Sequence, residues 1–233
     1  MDTPNDSEFS APGLARRQLH FVLAVDCSGS MTGDKIASLN YAVRSAVPAM
    51  RAAADDNPEN DVLVRVLRFA DDVQWSVEIP VPVDKFEWND LTAGGETNMG
   101  AAFGTLAQAL TPEQMPGRQL PPVLVLLSDG LPTDDVDDGL KTFRESAYGA
   151  QAIRIAVAIG SHADHGLLQS FIGNPDLKPL QANSAETLVS RIKWAASVPM
   201  KAASVPVGAP GDAAQQLAQG VASENANGGD LVW

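Results

Sequence analysis

Side chains whose oxygen atoms could bind a metal lie at the ends of two apolar runs and in a glycine-rich segment between them. The pattern D-x-S-x-S begins directly after the run LHFVLAV (19–25), and an acid closes the run PVLVLLSDG (122–130). A threonine stands in the segment GGETNMG (94–100). Alternate residues of a tight extended turn point to one side, so the first acid and both serines can converge. The candidate metal ligands are Asp26, Ser28, Ser30, Thr97 and Asp129.

The chemistry of these five side chains favours a hard divalent cation. Oxygen ligands without nitrogen or sulfur suit Mg²⁺, with Mn²⁺ or Ca²⁺ as alternatives, better than they suit Zn²⁺. Two carboxylates and three hydroxyls would leave the coordination shell incompletely filled, so the metal would take a further oxygen from outside, most naturally a partner's carboxylate. Serine and aspartate after a strand are also common helix caps and turn formers. D-x-S-x-S alone fits that role equally well, and the two distant segments favour the metal site.

The elements that must position these residues form an α/β pattern. The continuous apolar runs at 19–25, 122–130 and 152–160 predict strands buried on both faces. Segments with helical spacing alternate with them, which predicts a doubly wound, mostly parallel central sheet with helices on both faces. Residues 61–70 and 73–79 predict a hairpin that adds one antiparallel edge strand. Ligands of such sheets bind at the carboxyl ends of the strands, where the candidate residues lie.

The remaining elements and boundaries follow from periodicity and composition. Residues 1–17 predict a flexible tail, 18–197 the folded domain, and 198–233 a tail rich in Ala, Gly and Pro. That second tail has at most a short helix near 212–222, and its apolar end LVW is suited to docking on the domain. Helices are predicted over 34–55, 134–148, 164–173 and 185–196 and at the end of 94–110, with a weak strand over 177–182.

Charge and composition limit the classes of partner. The net charge of −13 disfavours nucleic acid and anionic membranes. No window approaches the ~18–20 apolar residues of a membrane helix, and the first residues lack the apolar core of a signal peptide. The single cysteine, Cys27, cannot form an internal disulfide, so we expect a cytoplasmic protein. We also expect a monomer with a protein partner.

The segments VDCSGSM, GGETNMG and LLSDGLPTD together resemble the von Willebrand factor A (vWA) domain with its metal-ion-dependent adhesion site, over residues 18–197. They look most like cytoplasmic bacterial vWA proteins of the tellurite-resistance Y type. The resemblance implies a Rossmann-like fold in which Ser28, Ser30 and, in one state, Thr97 ligate the metal directly. It implies that the two aspartates act largely through water.

The same resemblance implies a function without catalysis. The metal would bridge to an Asp or Glu of a protein partner, in a bacterial stress response or tellurite resistance. Partners of such bacterial proteins include kinases, phosphatases and AAA+ ATPases, and nothing in the sequence identifies one.

Other functions remain as alternatives. A Mg²⁺-dependent hydrolase or phosphatase could use the same site, although the sequence offers one metal site and no identifiable general base. A scaffold with an empty, merely structural site is a third alternative. Cys27 lacks a neighbouring histidine to activate it and is expected to be a buried small residue. GSMTGDK (29–35) fails the Walker pattern, and His162 with His165 lacks the further ligands of a zinc site.

Overall fold

The computed structural model describes residues 16–204 and 213–226. Most of the predicted N-terminal tail and the apolar end LVW lie outside these residues. Within them, no helix is long and apolar enough to cross a membrane. The strands are β1 (Arg17–Asp26), β2 (Asn60–Phe69), β3 (Val73–Pro82), β4 (Val123–Ser128), β5 (Ile153–Ile159) and β6 (Leu180–Ala182).

These strands form a single sheet in the order β3-β2-β1-β4-β5-β6. Only β3 runs antiparallel to its neighbour, at one edge. The predicted α/β fold with a mostly parallel sheet and one antiparallel edge strand is therefore confirmed. The helices are α1 (Asp34–Asp55), α2 (Met99–Ala109), α3 (Asp137–Glu145), α4 (His165–Ile172), α5 (Ala185–Ser204) and α6 (Ala213–Ala226), with a 3₁₀ turn at Gly29–Met31.

The strand order reverses between β1 and β4, and this reversal distributes the helices. From β1 the chain crosses through α1 to β2, whereas from β4 it proceeds in the other direction to β5 and β6. Crossovers between parallel strands are right-handed, so α1 lies on one face and α3 and α4 lie on the other. On the second face the rings of Phe103, Phe143 and Phe171 stack with centroids 5.5–6.3 Å apart. This trio joins α2, α3 and α4.

The two central strands carry the core. Every residue from Leu19 to Val25 is at most 2% exposed, and β4 is fully buried along its length. Such strands contact helices on both faces, which explains why they are continuous apolar runs instead of alternating ones. Their polar ends are therefore fixed by a rigid and well-packed scaffold.

The C-terminal helices extend further than the periodicity indicates. α5 continues to Ser204, beyond the predicted domain end at 197, and α6 occupies Ala213–Ala226, where the sequence indicated at most a short helix. α6 packs on the domain through Leu217 and Val221, which are 3% and 2% exposed. An alanine-rich helix with so few apolar residues has a weak sequence signal, because its stability comes from tertiary packing.

α6 also covers the free edge of β6. The Gln181 N–H donates to Asn225 Oδ1 at 3.0 Å, and Asn225 Nδ2 donates to the Pro179 carbonyl at 3.1 Å. The side chain of Asn225 thus replaces the neighbouring strand that this edge lacks, which protects the edge from pairing with other chains. An ion pair between the buried Arg191 of α5 and the partly exposed Glu224 of α6 stabilises the same contact.

We predict that Glu224→Gln lowers the free energy of unfolding by about 2–3 kcal/mol, because it leaves the buried Arg191 guanidinium without its counter-ion. Arg191 is 1% exposed, and among the described residues its guanidinium has one further hydrogen bond, from Nε to Gln181 O at 3.1 Å. Urea unfolding at pH 7 measures the loss. The matched control is Glu87→Gln at an exposed glutamate, which should change little. Equal effects of the two variants would contradict the role of the pair.

A second prediction concerns His20 on β1, which is 2% exposed and has no hydrogen-bond partner at either ring nitrogen within the described structure. Burial, and secondarily the charge of Arg65, lowers the pKa of His20 from 6.5 to about 4. The unfolded chain therefore takes up the proton first. The stabilising contribution of the neutral ring is complete above about pH 6.5 and is lost as the pH falls towards 4.

We expect this single group to cost on the order of 2–3 kcal/mol of stability between pH 7.5 and 4.5. His20→Leu should remove that part of the pH dependence, measured as the difference from wild type in urea unfolding at both pH values. Gln108→Leu, at an exposed residue that does not titrate, is the control and should leave the pH dependence unchanged. A His20→Leu protein with the wild-type pH dependence would refute this assignment.

Candidate metal centre

The candidate centre lies where the strand order reverses. Asp26 is the last residue of β1, and Asp129 directly follows β4. The two strands are neighbours, with Val25 paired to Leu127, so both carboxylates emerge at the same edge of the sheet. The crevice at such a reversal is the usual ligand-binding position of an open α/β sheet.

Hydrogen bonds link four of the five predicted ligands. Asp26 Oδ1 accepts from the Ser28 N–H at 2.9 Å, and its Oδ2 accepts from Ser128 Oγ at 2.6 Å. Ser28 Oγ lies 3.0 Å from Ser30 Oγ, which donates to Asp129 Oδ1 at 2.7 Å. Because the Ser30 proton is directed to Asp129, the Ser28 hydroxyl must be the donor between the two serines.

The cluster of Asp26, Ser28, Ser30 and Asp129 is buried at three of its four residues, and Ser30 is exposed. Asp26 and Ser28 are at most 1% exposed, and Asp129 is 3% exposed. Burial raises the pKa of Asp26; hydrogen bonds from Ser128 and Ser28 oppose this shift, and the charge of Asp129 adds to it. The negative charges of the two carboxylates therefore interact unfavourably, and a cation would relieve this repulsion.

A cation of the chain itself already lies on the cluster. Lys35, the second residue of α1, forms an ion pair through Nζ with Asp129 Oδ2. The Asp129 side chain is 0% exposed, whereas that of Lys35 is 24% exposed. In the sequence, Lys35 stands out only within the failed phosphate-loop pattern GSMTGDK (29–35), and its contact with the cluster was not predicted.

Thr97 lies in the loop beside the cluster and is 5% exposed. Its backbone is fixed by Thr133: the Thr97 N–H donates to Thr133 Oγ1 at 3.0 Å, and the Thr97 carbonyl accepts from the Thr133 N–H at 3.0 Å. Within the described residues, no hydrogen bond joins the Thr97 hydroxyl to the other four side chains. The structure thus connects four predicted ligands directly and places the fifth in an adjoining segment.

The loop that carries Thr97 is fastened to the D-x-S-x-S turn through its backbone. The Gly29 N–H donates to the Gly95 carbonyl, and the Gly94 N–H donates to the Cys27 carbonyl, both at 2.8 Å. Gly95 has φ +84°, and a Cβ atom there would lie 2.2 Å from Asp71 Oδ2. This position therefore requires glycine both for its backbone and for space.

Three residues outside the predicted ligand set support the centre. Ser128 donates to Asp26, Asp71 accepts from the Glu96 N–H at 2.6 Å, and Asp134 accepts from two N–H groups at the start of α2. Asp134 belongs to the acidic run DDVDDG, which therefore caps one helix and begins the next. Each of these contacts joins segments far apart in the chain, so local spacing could not indicate them.

The other reactive side chains are placed away from metal or nucleophilic chemistry. Burial, reinforced by the negative charge of Asp26, raises the pKa of the Cys27 thiol to about 12. His162 and His165 are exposed on the loop that begins α4. Within the described residues, no group of three or more His, Cys, Asp or Glu side chains is arranged to hold a metal. The candidate centre instead combines two carboxylates with hydroxyls.

Comparisons with known proteins agree with this architecture. The chain is similar in structure to a von Willebrand factor type A protein from Catenulispora acidiphila, with 15% identity, TM-score 0.60 and coverage of 79% of this chain and 43% of that one. It is also similar to the pilus adhesin SpaC of Lactobacillus rhamnosus GG, with 15% identity, TM-score 0.61 and coverage of 79% and 31%. Proximal thread matrix protein 1 of the mussel byssus aligns with 15% identity, TM-score 0.59 and coverage of 78% and 48%.

The chain spans less than half the length of each of these proteins, and at such identity the likeness shows the fold. No curated protein matches the sequence. Domains of this type commonly act in adhesion or in binding other proteins. The sequence profile of the von Willebrand factor type A domain matches residues 21–191, and the chain belongs to that family.

Proposed function

We propose that this chain is a metal-dependent protein-binding module. A divalent cation, Mg²⁺ with Mn²⁺ or Ca²⁺ as alternatives, would be held by Asp26, Ser28, Ser30, Thr97 and Asp129. When bound, the cation supplies a Lewis-acidic position for a carboxylate of an Asp or Glu on a protein partner. The observation that carries the proposal is the hydrogen-bonded cluster of oxygen donors at the reversal of strand order, in which both carboxylates are buried.

The donor set fits such a cation. Its atoms are carboxylate and hydroxyl oxygens, which hard divalent ions prefer. The pairing of Lys35 with Asp129 indicates that positive charge is favourable at this position. A Cβ atom on Gly130 would lie 3.2 Å from Ser30 Oγ, so this glycine leaves room above the hydroxyls. A rigid scaffold and loops anchored by backbone hydrogen bonds would keep the oxygens oriented before any ligand arrives.

Binding has better support than catalysis at this centre. Within the part of the chain that the structure describes, buried His20 has no hydrogen-bond partner and His162 contacts Ser161, so neither is hydrogen-bonded to a hydroxyl of the cluster. The Cys27 thiol, with its pKa raised to about 12, is not a nucleophile at neutral pH. A hydrolase would need a general base in reach of a hydroxyl or water, and the alternative therefore lacks an observation in its favour.

The proposal extends to the cellular role that the sequence resemblance implies. We place the module in the bacterial cytoplasm, in a stress response such as tellurite resistance, as a monomer that binds another protein. The net charge of −13 supports a protein partner over nucleic acid or an anionic membrane.

Metal binding is tested first, and carboxylate recognition is tested second. Mn²⁺ binding, followed by electron paramagnetic resonance, should be at least about tenfold weaker in Asp26→Ala. A random peptide library selected on the wild-type protein in Mg²⁺ should yield peptides with a required Asp or Glu. Their capture should be lost in chelator, in Asp26→Ala, and when the acid is changed to its amide.

The matched control is Asp34→Ala, which removes an exposed acid at the start of α1. This variant should preserve both Mn²⁺ binding and peptide capture. Thermal unfolding of each variant confirms that the fold is retained. Peptide capture that persists in chelator and in Asp26→Ala would contradict the metal bridge. Turnover of a phosphoester panel that disappears in Asp129→Ala would favour the hydrolase instead.

A further inference from the structure

We propose that Lys35 is an internal counter-ion that a metal must displace from Asp129. This inference rests on the proposed function, because it concerns the same cation. Its consequence is that Lys35 keeps the metal-free domain folded and at the same time weakens metal binding. The chain would thus exchange a built-in monovalent cation for a divalent one.

The first support is the burial of the pair. Asp129 is connected to Asp26 through the Ser30 hydroxyl and then through the hydroxyl and backbone N–H of Ser28, and both carboxylates are almost completely shielded from water. A buried carboxylate is unfavourable unless it is paired and hydrogen-bonded. Among the described residues, Lys35 is the one cationic side chain in an ion pair with either carboxylate. It therefore supplies the compensation in the absence of metal.

The second support is the position of Lys35 in its helix. It is the second residue of α1, in the first turn, where the helix dipole favours acids and disfavours cations. The preference of the helix therefore opposes a lysine here. The carboxylate of Asp129 is the feature of the structure that makes this placement favourable.

The third support is the charge balance of the centre. Asp26, Asp129 and Lys35 together carry one formal negative charge, and the two acids alone carry two. A divalent cation would neutralise the two carboxylates only if the ammonium withdrew. If it stayed on Asp129, like charges would be close together in a poorly solvated site, where their repulsion is strong. The Lys35 ammonium can move away from Asp129, because the side chain of Lys35 is long, flexible and partly exposed.

Titration with Mn²⁺ alone tests the competition. Lys35→Met keeps the length of the side chain but removes its charge, and we expect it to tighten Mn²⁺ binding by at least about tenfold. Lys35→Arg keeps the charge and should stay near the wild-type affinity. Lys193→Met, at an exposed lysine of α5, makes the same change in net charge and should leave the affinity unchanged. Electron paramagnetic resonance and calorimetry both report the dissociation constant.

Unfolding in chelator tests the pair without any metal. Lys35→Met should lower the melting temperature, and adding Mn²⁺ should restore it by more than it raises that of the wild type. The double variant of Lys35→Met and Asp129→Asn should lose less free energy of unfolding than the sum of the losses in the two single variants. Additive effects in this cycle would overturn the assignment of Lys35 as the counter-ion.

The outcomes separate this inference from the proposed function. If wild type binds Mn²⁺ and Lys35→Met binds it equally or more weakly, the inference fails and the proposed function stands. If Lys35→Met binds Mn²⁺ and wild type does not, the inference stands and metal-dependent binding by the native chain is refuted. If neither binds, both fail.

Discussion

The local structure depends on one constraint, the burial of two carboxylates. They lie at the ends of neighbouring central strands, where water hardly reaches. Ionised groups are unfavourable in such a place unless they are paired and fully hydrogen-bonded. Asp26 satisfies this through the Ser28 backbone and the Ser128 hydroxyl, whereas Asp129 uses Ser30 and Lys35. The donors come from both strand ends and from α1, so the charge problem of the centre holds three segments together.

Glycines occupy the positions where the loops around the centre meet. Backbone hydrogen bonds from Gly29 to Gly95 and from Gly94 to Cys27 bring the loop before α2 against the end of β1. A side chain at Gly29 would crowd this contact, because its Cβ would approach the Gly95 carbonyl to 3.1 Å. The close approach of the two backbones therefore holds the loop in place of a larger set of side-chain contacts. It also fixes the position of Thr97 relative to the strand ends.

The sequence predicted the parts of the structure that depend on local pattern. Continuous apolar runs located the central strands, and their polar ends located Asp26 and Asp129 at one edge, because the ends of parallel strands meet there. Contacts between distant segments could not be predicted from local pattern. The Lys35 pair spans two segments, and α6 is held by Asn225 and Glu224 against β6 and α5. A helix whose stability comes from such contacts has no strong periodicity to detect.

The hydroxyl network also limits how a cation can enter the centre. A serine hydroxyl has one proton and two lone pairs. Ser30 can therefore keep its proton on Asp129 and still offer a lone pair, although the Ser28 proton currently occupies one of the two. If Ser28 turned its proton away, lone pairs on both serines would become available without moving either side chain. The change from a self-bonded cluster to a cation-binding one then needs a rotation about one C–O bond and the departure of one ammonium. Since neither step disturbs β1 or β4, the buried core can stay the same in both states.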